Sequence, residues 1–175
     1  MTTKTQFQAH PPDRPVRILI ADDFPAIRKV VRFTLEKDPH FEVCGEAVDG
    51  AKAIEEAQRL KPDVVILNIS MPVLNGYEAA RKIGSDLPGT AIVILAGDAD
   101  RRFIEEAKKI GVQAYVAKNE AGKGLVNAIN AAVLGDDFVL LTWAQRQPSP
   151  YKVVNLIPPQ LLPCGLSVQF APEST

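Results

Sequence analysis

A strict alternation of short apolar runs with amphipathic segments is the feature of this sequence that most constrains its fold. Five apolar runs are each followed by a segment whose apolar residues recur at the spacing of one helical face. Short apolar runs bounded by polar residues are typical of strands that are buried on both faces. Because such alternation favours parallel strands joined by right-handed crossovers, the sequence predicts a doubly wound α/β sheet with helices on both faces.

The bounds of the predicted elements follow from this pattern. The predicted strands are Val16–Ala21, Phe41–Ala47, Asp63–Asn68, Ala91–Ala96 and Val112–Ala117. The predicted helices lie in FPAIRKVVRFTLEKD, at Asp49–Lys61, in YEAARKIG, at Asp100–Ile110 and at Ala121–Leu134. In the first helix the spacing places five residues on the inward face: Ile27, Val30, Val31, Thr34 and Leu35.

The two ends of the chain lack this alternation. Residues 1–15 have no apolar core of the secretory-signal type and are predicted to be a flexible leader. Residues 16–135 are predicted to form one domain. Residues 136–175 are predicted to be a proline-rich tail without a recognisable output domain, because six of the 14 prolines lie in the last 28 residues. Within this tail the apolar segment FVLLTW, which contains Trp143, could dock on the domain.

Charge and composition exclude several classes of protein. The formal net charge of −1 provides no long-range attraction to nucleic acid or to anionic lipid. No apolar run approaches the ~20 residues that are needed to span a bilayer. The two cysteines, Cys44 and Cys164, do not form a disulfide framework and are expected to be reduced thiols in a cytoplasmic protein.

Polar residues end several of the predicted strands and should converge at one edge of the sheet. They are Asp22–Asp23, Asn68, Ala96–Gly97 and Lys118–Asn119. The adjacent carboxylates Asp22 and Asp23 allow two interpretations. They could cap the following helix, or they could bind a hard divalent cation such as Mg²⁺.

Four motifs carry a resemblance to a known family. ILIADD, DVVILNISMPVLNGYEAARKI, IVILAGD and GVQAYVAK resemble, in order and spacing, the receiver domain of two-component response regulators. The resemblance covers about Val16–Leu134 and is closest to receivers that precede a helix-turn-helix output domain. It implies a flavodoxin-like (βα)5 fold with strand order 2-1-3-4-5, a receiver domain over residues 16–135, and a role in bacterial phosphorelay signalling.

The resemblance also implies roles for single residues. Asp22 and Asp23 match the acidic pair that binds Mg²⁺, with Asp23 as the direct ligand. Ser70 matches the residue whose backbone carbonyl completes the metal shell. Lys118 matches the lysine that contacts the phosphoryl group, and Tyr115 matches the aromatic switch residue.

Two positions depart from the family pattern. Asn68 stands where the family has its phospho-accepting aspartate, and Ala96 stands where it has a Thr or Ser that contacts the phosphoryl group. An amide is neutral and a poor nucleophile, so no stable acyl phosphate is expected at Asn68. Mg²⁺ binding through Asp22, Asp23, Asn68 and the Ser70 carbonyl is expected to be weak, and an ion pair from Lys118 could satisfy the pocket without a metal.

These departures predict a pseudo-receiver that acts by protein–protein contact without phosphorylation and is not an enzyme. The expected partner is a histidine kinase or a downstream effector, bound through the fourth helix, fifth strand and fifth helix, a face that could also form a homodimer. No nucleic-acid or membrane partner is expected. Alternatives are a truncated DNA-binding response regulator, a conventional receiver whose Asp was changed to Asn, and a phosphohydrolase that uses the acidic pair.

Overall fold

A single parallel sheet runs through the structure, a computed structural model that describes residues 14–97, 100–135 and 139–141. The strands are β1 (Val16–Ala21), β2 (Phe41–Ala47), β3 (Val64–Leu67), β4 (Ala91–Ala96), β5 (Ala114–Ala117) and β6 (Val139–Leu141). The α-helices are α1 (Pro25–Leu35), α2 (Gly50–Leu60), α3 (Gly76–Asp86), α4 (Arg101–Ile110) and α5 (Lys123–Leu134). One 3₁₀-helix spans Lys118–Glu120.

The strands lie in the order β2-β1-β3-β4-β5-β6, and all neighbouring pairs are parallel. The predicted flavodoxin-like fold and the order 2-1-3-4-5 are therefore confirmed. The chain steps from β1 to β2 on one side and then returns to place β3 on the other side of β1. The carboxyl ends of β1 and β3 thus border the point where the strand order reverses, which is where such sheets bind ligands.

Two apolar cores cover the two faces of the sheet, because successive strand residues point to opposite faces. One core packs the sheet against α2, α3 and α4, and the other packs it against α1 and α5. The first contains Ala96 and Tyr115. On α1, Val31 and Leu35 are buried as predicted, but Val30 is 57% exposed, so the inward face predicted for α1 is too wide.

A sixth strand extends the five-stranded sheet that the sequence predicts. β6 pairs in parallel with β5, with Ala114 opposite Val139 and Val116 opposite Leu141. It belongs to the FVLLTW segment, within the range predicted to be a tail. The pairing is not local, so a three-residue run offers too short a pattern for the sequence alone to predict it. The other predictions for residues 136–175 concern residues outside the described ranges.

Two strands are shorter than predicted. Asp63 lies just before β3, although its backbone N–H donates to the Arg17 carbonyl and its carbonyl accepts from the Ala91 N–H, each at 2.9 Å. Val112, predicted to begin β5, donates its backbone N–H to Ala107 at the end of α4. Helix α5 begins at Lys123, since the 3₁₀-helix precedes it.

Polar side chains cap three of the helices. Asp49 accepts from the Lys52 N–H at the start of α2, and Asp100 accepts from the Arg102 N–H at the start of α4. Asn75 and Glu78 form a capping box at the start of α3. None of the helices in the described ranges is long and apolar enough to cross a bilayer.

Candidate functional site

The carboxyl ends of β1, β3, β4 and β5 bring the predicted site residues to one edge of the sheet. Asp22 and Asp23 follow β1, Asn68 follows β3, Ala96 ends β4 and Lys118 follows β5. Parallel register places these ends side by side. These side chains and the loop after β3 form one pocket.

Asp22 is the more deeply buried of the two carboxylates, with 2% of the residue exposed. Its Oδ1 accepts a hydrogen bond from the Phe24 N–H at 2.9 Å. Its Oδ2 lies 2.7 Å from Lys118 Nζ, in an ion pair whose angles are not those of a hydrogen bond. Removing Lys118 would leave this buried carboxylate unpaired, a change that typically costs about 3–5 kcal/mol.

Neither carboxylate is the N-cap of α1. The N-cap is Phe24, whose side chain makes no capping hydrogen bond, and Pro25 occupies the first turn. The fixed φ of proline suits this position, so the helix can start without a polar cap. The capping interpretation of the acidic pair is therefore wrong, although Asp22 does bind the backbone N–H of Phe24.

The side chain of Asn68 lies between Asp23 and the loop that follows β3. Its Nδ2 donates to Asp23 Oδ1 at 3.0 Å and to the Ser70 carbonyl oxygen at 2.8 Å. Asn68 is only 6% exposed, so these bonds are largely shielded from water. The two hydrogens of the amide are both used inside the protein.

The loop from β3 to α3 holds Asn68 in place through close backbone contacts. The Gly76 N–H donates to the Ile69 carbonyl at 2.8 Å, and a Cβ on Gly76 would lie 2.1 Å from the Asn68 carbonyl oxygen. A Cβ on Gly50, the first residue of α2, would lie 2.2 Å from the Leu74 carbonyl oxygen. Nothing in the sequence pattern singles out Gly50, since a glycine after a helix cap has no distinctive signal.

Ala96 and Tyr115 lie together in the core beneath α2, α3 and α4. Both are buried, and Tyr115 has no exposed surface. Ala96 has no hydroxyl to offer a ligand. The aromatic ring that the resemblance identifies as a switch therefore packs inward in this structure.

The residues of the pocket do not fit a divalent cation in their present arrangement. Asp23 Oδ1 and the Ser70 carbonyl oxygen, the two atoms expected to face a metal, both accept hydrogen bonds from Asn68 Nδ2. Asp22 is engaged by Lys118 and by Phe24. In the described part of the chain, no three His, Cys, Asp or Glu side chains cluster in a way that could hold a metal ion.

A separate cleft of about 450 Å³ lies near the amino ends of β4 and β5. Arg81, Thr90, Lys109 and Gln113 are among its lining residues. It contains none of the predicted site residues, so the chemistry inferred from the sequence belongs to the pocket at the carboxyl ends of the strands.

Comparisons with known proteins agree with the fold and with the order of the motifs. The family pattern of the response regulator receiver domain matches residues 18–130. The transcriptional regulatory protein YxjL of Bacillus subtilis is 36% identical over 121 residues, which is 69% of this chain and 56% of that protein. A protein-glutamate methylesterase/protein-glutamine glutaminase of Pyrococcus abyssi is 46% identical over 83 residues, 47% of this chain and 23% of that protein.

Solved structures give the same result. A two-component response regulator of the LuxR family from Aurantimonas sp. SI85-9A1 has a TM-score of 0.68 and 30% identity, over 71% of this chain and 89% of that chain. The chain spans little more than half the length of YxjL and less than a quarter of the methylesterase. Since the family pattern covers well over half of its residues, the chain belongs to the response regulator receiver domain family.

Proposed function

We propose that this receiver domain acts in two-component signalling by protein–protein contact, without accepting a phosphoryl group on residue 68. The single observation that supports this most strongly is the amide of Asn68, whose nitrogen is turned toward Asp23 and Ser70. Phosphoryl transfer to a receiver needs a carboxylate oxygen that attacks phosphorus. The neutral amide supplies neither the charge nor a nucleophilic oxygen.

The neighbouring positions support the same proposal. Ala96 has no hydroxyl with which to contact a phosphoryl group, and the side chain of Tyr115 is fully buried. Lys118, the residue expected to contact the phosphoryl group, is paired with Asp22 at 2.7 Å. We propose no catalytic role for the two carboxylates of the pocket, since Asp22 is paired with Lys118 and Asp23 accepts from Asn68.

The test is exposure of the full chain to acetyl phosphate and Mg²⁺, followed by intact-mass spectrometry. We expect no adduct on the wild type. The matched controls are Asn68→Asp and the double variant Asn68→Asp/Ala96→Thr, which restore the carboxylate and then the hydroxyl. We expect a hydroxylamine-sensitive adduct of one phosphoryl group on at least the double variant. An adduct on a pocket residue of the wild type would overturn the proposal.

We place the partner, a histidine kinase or a downstream effector, on the face formed by α4, β5 and α5. Phe103 is an exposed aromatic residue of α4, and aromatic residues are enriched at the energetic centres of interfaces. The edge of β5 is itself paired with β6, so a partner would contact α4 and α5 rather than add a strand to β5. A homodimer through the same face is the alternative.

The relatives support a second candidate function. YxjL is named as an uncharacterized transcriptional regulatory protein, and the present chain matches 56% of it. The same receiver could therefore act within a longer regulator of transcription.

Gel filtration and pull-down with Phe103→Ser on α4, compared with Val30→Ser on α1, would test the proposed partner interface. Only the first variant should weaken partner binding or dimerisation.

A further inference from the structure

The amide nitrogen of Asn68 occupies an unusual position in the pocket. Three of the ligands that the resemblance implies for Mg²⁺ are the Asp23 carboxylate, the residue 68 side chain and the Ser70 carbonyl. In this structure the first and the third are joined through Asn68 Nδ2, at 3.0 and 2.8 Å. A donor with partial positive charge thus lies where these two oxygens converge.

The chemistry of the pocket determines which end of the amide faces these oxygens. An Asn side chain has two donor hydrogens on nitrogen and an acceptor oxygen of nearly the same size. With the oxygen in place of the nitrogen, the amide would face a carboxylate oxygen and a carbonyl oxygen at about the same distances. Asn68 is only 6% exposed, so water has little access to relieve these contacts between acceptors.

The second carboxylate is also neutralised from within the protein. Asp22 is paired with Lys118 Nζ at 2.7 Å and accepts the Phe24 N–H at 2.9 Å. A buried carboxylate is stable only when it is paired or hydrogen-bonded. The Asp22 and Asp23 side chains therefore each have a donor that belongs to the same chain.

We propose that Asn68 Nδ2 takes the place of a divalent cation, so that the pocket is complete without Mg²⁺. A cation could bind only after the amide turned by roughly 180° about its last side-chain torsion. That rotation would break both buried hydrogen bonds. The arrangement of the pocket should therefore be independent of the Mg²⁺ concentration.

This inference concerns the same pocket as the proposed function but does not rest on it. A chain that binds Mg²⁺ could still lack a phosphoryl acceptor, and a chain without Mg²⁺ affinity could still be modified elsewhere in the pocket. A metal titration without any phosphodonor therefore tests the inference separately from the acetyl phosphate experiment.

The first experiment measures Mg²⁺ binding to the full chain by calorimetry and thermal unfolding, with NaCl at matched ionic strength as control. The wild type should show no change in Tm up to about 10 mM Mg²⁺. Asn68→Asp removes the donor and adds a third carboxylate, so its Tm should rise by several degrees as the cation binds the folded state. Its affinity for Mg²⁺ should exceed that of the wild type at least 100-fold.

One outcome would overturn the inference: an Mg²⁺ affinity of the wild type within tenfold of that of Asn68→Asp, whether both bind tightly or both bind weakly. It would show that the amide is not what replaces the cation.

A second measurement needs no variant. The Asn68 side-chain amide protons, observed by ¹⁵N-edited NMR, should exchange with solvent far more slowly than those of Asn127 and Asn130, which are exposed on α5. Their shifts should not change when Mg²⁺ is added. Equal exchange rates, or a shift that saturates with Mg²⁺, would overturn the inference as well.

Discussion

The side chain of Asn68 differs from the aspartate of the family by one nitrogen in place of one oxygen. The replacement hardly changes shape, but it removes a charge and adds two hydrogen-bond donors. The sequence shows the amide at this position without showing which way it faces. The orientation of the amide depends on Asp23 and Ser70, and Asp23 lies 45 residues away in the chain. The consequence of a single substitution is therefore set by groups that only the fold brings together.

Val73, in the loop between β3 and α3, has a backbone conformation that β-branched residues rarely adopt. Its φ is +67°, and the side chain is 83% exposed, so no packing compensates the strain. Replacing it by glycine should relieve about 1–2 kcal/mol of strain, partly offset by the greater freedom of glycine in the unfolded chain. We expect Val73→Gly to raise the free energy of unfolding by about 0.5–1 kcal/mol in urea denaturation.

The matched control is Val48→Gly, also at an exposed valine but without a positive φ. Glycine brings only a loss of stability there, so the free energy of unfolding should fall. A fall of equal size in both variants would contradict the assignment of strain to Val73.

Tyr77 on α3 should make the stability of the domain depend on pH in the alkaline range. Burial, together with the charge of Glu106, raises the pKa of its hydroxyl to about 12, and the hydroxyl donates to the Phe103 carbonyl at 2.8 Å. The unfolded tyrosine ionises near pH 10. The contribution of Tyr77 is thus complete below pH 10 and is lost as the pH rises toward 12.

Tyr77→Phe tests this dependence. At pH 8 the variant should be less stable by about 0.5–1.5 kcal/mol, the usual contribution of one hydrogen bond. The difference in free energy of unfolding between wild type and variant should shrink between pH 10 and 12. A constant difference across this range, measured by urea denaturation, would refute the role of the buried hydroxyl.

At the scale of elements, the long periodic segments were predictable and the short ones were not. Five strands and five helices follow from apolar spacing, and α1 even begins at the proline that the sequence marks. The width of the buried face of α1 was overestimated at Val30, because spacing gives the direction of a face but not the extent of the sheet beneath it. β6 is too short to have a pattern of its own.

β6 should protect the edge of β5 from solvent. Backbone pairing joins Ala114–Val116 to Val139–Leu141, so at least one β5 amide is hydrogen-bonded to the sixth strand. In a chain ending at Gly135 this amide should exchange with deuterium faster than in the full chain. Amides of β3, at the centre of the sheet, should stay protected and show that the domain still folds. Unchanged exchange within Ala114–Val116 would contradict the pairing.

At the scale of the whole molecule, charges of both signs lie close together, which argues against a nucleic-acid surface. The formal net charge is −1. On α4, Arg101 pairs with Glu105 at 2.8 Å, and Arg102 pairs with Asp100 at 3.0 Å. Arg81 on α3 pairs with Glu106. Since non-specific DNA affinity comes from unpaired cations that neutralise phosphates, such a surface should bind DNA weakly.

We therefore expect no binding of a labelled DNA duplex at physiological salt up to about 100 µM protein, measured by fluorescence anisotropy. Lowering the salt concentration should not reveal a steep increase in affinity. A dissociation constant in the micromolar range, with a strong dependence on salt, would instead favour a direct role in DNA binding.

The sequence by itself determined the class of fold, the order of five strands and the identity of the residues at their carboxyl ends. It could do so because hydrophobic periodicity and four ordered motifs are local properties of the chain. Only the tertiary structure decided how those residues are paired: Lys118 with Asp22, and the nitrogen of Asn68 with Asp23 and Ser70. It also decided that β6 covers the edge of β5. The physical reason is that pairing inside a buried pocket depends on distances between residues far apart in the chain, which the fold alone sets.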